Sequence, residues 1–76
     1  MPRAFILVDV VPGHERFVQE RLRRLLPGIK FAYQVTGEHD LIVFLDAEPY
    51  EELAVTVAAI RRIEGVRDTE TLLVLS

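Results

Sequence analysis

Two stretches of this chain are apolar without a break. Phe5-Ile6-Leu7-Val8 continues into Asp9-Val10-Val11 and stops at Pro12-Gly13, and Leu41-Ile42-Val43-Phe44-Leu45 follows the polar stretch Gly37-Glu38-His39-Asp40. Both are rich in β-branched and aromatic residues and end at turn-forming residues, which is the pattern of strands. Successive side chains of a strand point to opposite faces, so a strand covered on one side alternates apolar with polar. An unbroken run marks a strand covered on both sides. Any fold for this chain has to hide both faces of these two strands.

The remaining segments supply their neighbours. From His14 to Leu26, Val18, Leu22 and Leu25 recur at i, i+4 and i+7, flanked by Phe17, Arg21 and Leu26, which predicts a helix ended by Pro27-Gly28. Ile29 to Thr36 alternates, with Ile29, Phe31, Tyr33 and Val35 on one face and Lys30, Ala32, Gln34 and Thr36 on the other. Its turn at Gly37 to Asp40 makes it an antiparallel hairpin partner of Leu41–Leu45. Pro49 suits the first position of a second helix, with Glu51 and Glu52 at its positive end and Arg61 and Arg62 at its negative end. Leu53, Val57 and Ile60 form its inner stripe, Ala54 and Ala58 are expected to allow close approach to a sheet, and Glu64-Gly65 ends it. Val66 to Leu75 is the last strand.

The order is βαββαβ in one domain spanning residues 1–76, and it repeats faintly. Gly28 and Gly65 stand 37 positions apart, as do Ile29 and Val66, Lys30 and Arg67, Val8 and Leu45, and Asp9 and Asp46. Two such βαβ halves joined by right-handed crossovers predict an α+β, ferredoxin-like sandwich. Its four-stranded antiparallel sheet has strand order 4-1-3-2, with both helices on one face. The first and third strands, the two unbroken runs, are then central. Two helices cover one face only, so the other must be covered by something else, and the simplest cover is a second copy of the chain. Size points the same way. A domain of 76 residues buries only roughly 60% of its unfolded surface, and with no cysteine it has neither disulfides nor thiolate metal sites to reinforce it. A homodimer through the open face follows.

Composition excludes several classes. A net charge of −3 lacks the basic face of a nucleic-acid binder, and the arginine clusters Arg21/Arg23/Arg24 and Arg61/Arg62 fall at predicted helix C-termini, where the dipole favours them. There is no apolar run of about 18 residues and no leader pattern, so the expected location is the cytoplasm, without a membrane partner. His14 and His39 have no second histidine at helical spacing, so no metal site is expected, and each is expected in a solvated turn or first turn. No nucleophile elbow or phosphate loop occurs, so no catalytic residues and no cofactor are assigned, and the chain is not expected to be an enzyme. Phe31 and Tyr33 could suggest an RNA-stacking platform, but the basic, glycine-rich signature is missing, and packing in the core or between copies accounts for them better.

Thr36-Gly37-Glu38-His39-Asp40 and Thr69-Glu70-Thr71 hold the groups that a free amino acid needs. A glycine brings its N–H close to an anion, an aspartate holds an ammonium group, and threonine hydroxyls bond either end. The same residues would also serve as an ordinary turn and an ordinary strand.

The segments Ala4 to Gly13, Leu26-Pro27-Gly28-Ile29, Tyr33 to Leu41 and Gly65 to Thr71 together resemble the effector-binding (RAM) domain of the Lrp/AsnC family of transcription regulators, over nearly the whole chain. The specific element is a V-T-G-x-x-D-L hairpin followed by G-V-x-x-T-x-T. The resemblance implies a ferredoxin-like fold, sheet-to-sheet dimers, assembly into rings that are commonly octamers, and an amino-acid or related effector bound between dimers near the hairpin turn and final strand. Carried over by position, Gly37 and Asp40 match the turn and Thr69 and Thr71 the last strand, with Tyr33, Val35 and Thr36 lining the pocket. The helix-turn-helix domain of full-length regulators has no counterpart here, which resembles the family's stand-alone members. Such a module would either report an amino acid by itself or join the rings of a full-length regulator. Two other assignments share the topology: an ACT-like regulatory subunit, with its ligand near Pro12-Gly13-His14, and a small dimeric α+β barrel enzyme, which would need polar groups inside the sheet where this chain has only Asp9 and Asp46 at strand ends.

Overall fold

The computed structural model describes residues 3–25, 28–46 and 50–75. The elements run β1 (Arg3–Val10), α1 (Glu15–Leu25), β2 (Ile29–Gln34), β3 (Leu41–Asp46), α2 (Tyr50–Arg61) and β4 (Val66–Leu73). They build one antiparallel sheet of order β2-β3-β1-β4. The expected fold class and strand order are what the chain adopts. Leu26, Pro27 and Pro49, expected at helix ends, lie outside the described residues, as does the side chain of Leu25.

The helices lie on one side of the sheet. Ala4, Ile6, Val8 and Val10 of β1 and Leu41, Val43 and Leu45 of β3 are buried beneath them, together with Val18 and Leu22 of α1 and Leu53 and Ile60 of α2. This core contains no buried polar or charged residue. The helix stripes therefore fall where the 3.6-residue period puts them.

Alternate residues of the same strands face away from the helices. Directly paired residues share a sheet face, so the register builds one row of Phe31, Phe44, Phe5 and Leu72, and a second of Tyr33, Ile42, Leu7 and Glu70. Phe31 and Phe44 stack at 5.2 Å between ring centroids, Phe44 and Phe5 lie at 4.9 Å, and Phe31 and Tyr33 stack at 4.8 Å. The two central strands are apolar on both faces, as the unbroken runs require.

Two bulges correct the simple alternation. The register slips at Lys30 in β2 and at Arg67 in β4, the positions that stand 37 apart in the internal repeat. Because Lys30 is an extra residue, Ile29 pairs with Leu45 and packs on the core while Phe31 pairs with Phe44 on the open face. Ile29 and Phe31, expected on one face, are on opposite ones. A bulge bends its strand and re-aims the extra side chain. Lys30 reaches Asp46 at 3.4 Å, and Arg67 turns toward the cleft described below.

His14 is half-buried rather than solvated. Its ring lies against Gly65, where an added Cβ would come within 2.9 Å of ring atoms, and Gly65 has a φ of +99°. The Val11 N–H donates to the Gly65 carbonyl at 2.7 Å and the His14 N–H to the Val11 carbonyl at 2.9 Å, fastening the start of α1 to the start of β4. Only glycine satisfies both the dihedral and the close approach.

Candidate functional site

The turn between β2 and β3 begins with Gly37 at a φ of +107°, a conformation that costs other residues strain. The turn is folded back onto β1. The Val35 N–H donates to the Asp40 carbonyl and the Asp40 N–H to the Val8 carbonyl, both at 3.0 Å. The Asp40 carboxylate accepts from the Val10 N–H at 2.9 Å through Oδ2. Asp40 thus replaces the strand partner that β1 lacks at Val10, and one of its two oxygens is committed to the backbone.

Beside this turn lies a cleft of about 460 Å³ lined by Asp9, Val10, Glu38, Asp40, Arg67 and Asp68. The β4 bulge puts Arg67 there, because an in-register strand would have paired it across from β1. The cleft therefore holds one guanidinium among several carboxylates. The Asp68 carboxylate accepts from the Thr69 N–H at 2.9 Å through Oδ1. Among the described residues no three His, Cys, Asp or Glu side chains are arranged to hold a metal ion.

His39 bridges this end of the sheet, a role not expected of a solvated turn residue. Its Nδ1 lies 2.9 Å from Asp9 Oδ1 and its Nε2 3.5 Å from Glu70 Oε1. The hydrogen bond to Asp9 raises its pKa above the ordinary 6.5; the negative charges of Asp9, Glu70 and Glu38 add to this against a smaller opposing cost of desolvation. The turn is in this way linked to both β1 and β4.

The candidate residues from sequence fall into three places. Val35, Thr36, Gly37 and Asp40 form the turn at the cleft. Tyr33 is on the open face, 53% exposed and stacked on Phe31. Thr69 pairs with Val8 and Thr71 with Ile6, so both lie on the helix side of β4, and Thr71 lines a groove against α2. Within one subunit the threonines and the turn do not meet on one face. Sequence pattern missed Arg67, Asp68 and Glu38, since charged residues beside a turn look like ordinary solvated ones. The signal that could have found Arg67 is its place opposite Lys30 in the repeat, where an extra residue enters each edge strand.

The model of the Lrp/AsnC ligand binding domain matches residues 3–76. The chain belongs to the Lrp/AsnC ligand-binding domain family. The transcriptional regulator FL11 of Pyrococcus furiosus is 36% identical over 72 residues, covering 95% of this chain and 47% of the regulator. This Lrp/AsnC domain therefore spans about half the length of the curated regulators it matches. The crystal structure of TTHA0845 from Thermus thermophilus is 34% identical and superposes with a TM-score of 0.93, covering 100% of this chain and 95% of that one. The transcriptional regulator NMB0573 of Neisseria meningitidis, solved in complex with L-methionine, shares the fold at a TM-score of 0.79 and 21% identity, over 99% of this chain and 50% of that one.

Proposed function

We propose that this Lrp/AsnC domain senses a free amino acid at the cleft beside Gly37–Asp40 and pairs with a second copy through the open face of its sheet, without chemistry of its own. The observation that supports it most is the pairing of Arg67 with Asp40 in one cleft. A guanidinium is suited to an α-carboxylate and a carboxylate to an ammonium group, so the two supply opposite charges for a zwitterion. Gly37 lets the backbone come close, and Val35 and Thr36 lie at the rim. The solved complex of NMB0573 with L-methionine agrees with this ligand class.

The remaining candidates, Tyr33, Thr69 and Thr71, act where copies meet, since one subunit keeps them apart. The aromatic rows of the open face are the surface for sheet-to-sheet pairing, and further assembly of dimers, toward the octamers of the family, would bring the threonines of one subunit toward the turn of another. In the cytoplasm the module would report its effector directly or by joining a full-length regulator; pull-down with such a regulator, with and without effector, separates the two.

The test of the site is calorimetric titration with the twenty proteinogenic amino acids. Asp40→Asn keeps an oxygen for the Val10 N–H and removes the charge, and Arg67→Ala removes the cation. Each should weaken the best-binding amino acid at least tenfold, about 1.4 kcal/mol. Unchanged affinity in both variants moves the site elsewhere, and no heat from any amino acid removes this ligand class.

A further inference from the structure

The outer side of α2 has an uncommon charge layout. Between Glu52 and Arg61 the helix carries no charge on any side, and Val55, on the outside, is 69% exposed. A helix facing water on its outer side normally places charged residues there, and one apolar all round is covered by something. The sequence predicts Ala54 and Ala58 against the sheet. Both are exposed instead, and with Leu53, Val57, Arg61 and Thr71 they line a groove of about 540 Å³ where α2 stands away from β4.

At 3.6 residues per turn, Glu51, Val55, Ala58 and Arg62 stand at i, i+4, i+7 and i+11, on one outward stripe. Arg62 continues the last turn, its N–H donating to the Ala59 carbonyl at 3.2 Å. The stripe is acidic at one end, apolar in the middle and basic at the other. Among the described residues no ion pair within the chain engages Glu51, Glu52, Arg61 or Arg62. Such a stripe is complementary to itself when reversed. With a two-fold axis beside Thr56 and Val57, Glu51 of one copy faces Arg62 of the other, Glu52 faces Arg61, and Val55 faces Ala58. A two-fold contact requires this reciprocity.

We infer that α2 is a second self-association surface, on which a second copy of this chain docks its own α2 antiparallel. The surface lies on the helix side of the sheet, away from the open face, so both can be occupied at once. A pair of 12-residue helices is about 18 Å long and buries less than the roughly 1,200 Å² of a stable interface, so this contact joins units already paired elsewhere. Two different two-fold contacts per subunit build assemblies beyond the dimer. The inference shares with the proposed function only the idea that copies associate, and it needs neither the amino acid nor the cleft.

The experiment is the mass of the purified full chain by light scattering. The wild type should exceed two subunits. Glu51→Arg alone and Arg62→Glu alone should each fall to a smaller species, because like charges then meet at both ends. Mixing the two variants should restore the larger mass, since each supplies what the other lacks, and salt should weaken it. Unchanged mass in both single variants, or no recovery on mixing, would overturn the inference and leave α2 for a different protein. A check independent of charge uses the absence of cysteine: Val55→Cys combined with Ala58→Cys should cross-link copies on oxidation. Failure to cross-link at concentrations where the wild type is larger than a dimer would also overturn it. Amino-acid titration of Arg62→Glu should be unaltered wherever the pocket is complete without this contact, which separates its failure from that of the proposed site.

Discussion

The two faces of the sheet are built from the same strands but differ in kind. Toward the helices the central residues are aliphatic, Ile6, Val8, Leu41, Val43 and Leu45, and they are fully buried within one chain. Away from the helices they are largely aromatic, Phe5, Phe31 and Phe44, stacked along the sheet and only half-covered by one another. Charges stand at the ends of that second face, with Asp9, His39 and Glu70 at one and Asp46 with Lys30 at the other. The first face contributes to stability as soon as one chain folds. The second contributes most of what it can only when another surface removes it from water, and flat aromatic rows rimmed by charge are suited to another sheet packed face to face at about 10 Å.

Substitutions that treat the faces differently test this. Phe44→Ser, at the middle of the aromatic row, should leave the far-ultraviolet spectrum of the subunit intact and dissolve the pairing. In a two-fold interface the change occurs twice, so at roughly 1.5 to 3 kcal/mol per side chain the loss is about 3 to 6 kcal/mol of association. That weakens pairing by about 10² to 10⁴ and is read by sedimentation across a dilution series. If the mass holds, the open face is not where copies meet. Leu41→Ala, on the covered face, should act on the fold itself. It empties a fully buried position and should cost about 2 to 5 kcal/mol of stability by denaturant titration. A cost as small as that of a surface residue would mean that the two faces are not distinct.

The fold was legible because its evidence is periodic. The unbroken runs Phe5–Val8 and Leu41–Leu45 announce central strands, the stripe Val18–Leu22 announces α1, and glycines at an offset of 37 announce two similar halves. Bulges were not legible: nothing in Lys30 or Arg67 marks an extra residue, because a bulge is decided by the pairing partner. The same holds for the site. Gly37 and Asp40 were found because a turn has a local signature, whereas Arg67, Asp68 and Glu38 reach the cleft by tertiary placement. Alternation along β4 could have shown that Thr69 and Thr71 share the covered side with Val66, but it could not show which face of the sheet the turn would bend toward. Ala54 and Ala58 were misplaced for a related reason. Small residues fit both a close helix–sheet contact and an outward helix face, and only the angle of α2 over β4 decides.

The smallest expected effect tests how the open face ends. His39 is held by Asp9 of β1 and faces Glu70 of β4, with Glu38 of its own turn nearby, and these acidic groups keep its pKa above 6.5. A pKa raised by folding means that the folded chain holds the proton more tightly than the unfolded one. The resulting stabilisation is complete below the unfolded value of about 6.5 and is lost as pH rises through the higher folded value. Wild-type melting temperature should therefore decline across that interval above pH 6.5 by more than that of His39→Gln, which keeps a hydrogen-bonding side chain but cannot take a charge. Surface exposure and salt screening keep the difference modest. If pH shifts both proteins equally, the bridge from Asp9 through His39 to Glu70 contributes nothing measurable. If the difference appears and grows at concentrations where copies pair, the bridge also borders the interface, because association strengthens charge interactions that it shields from water.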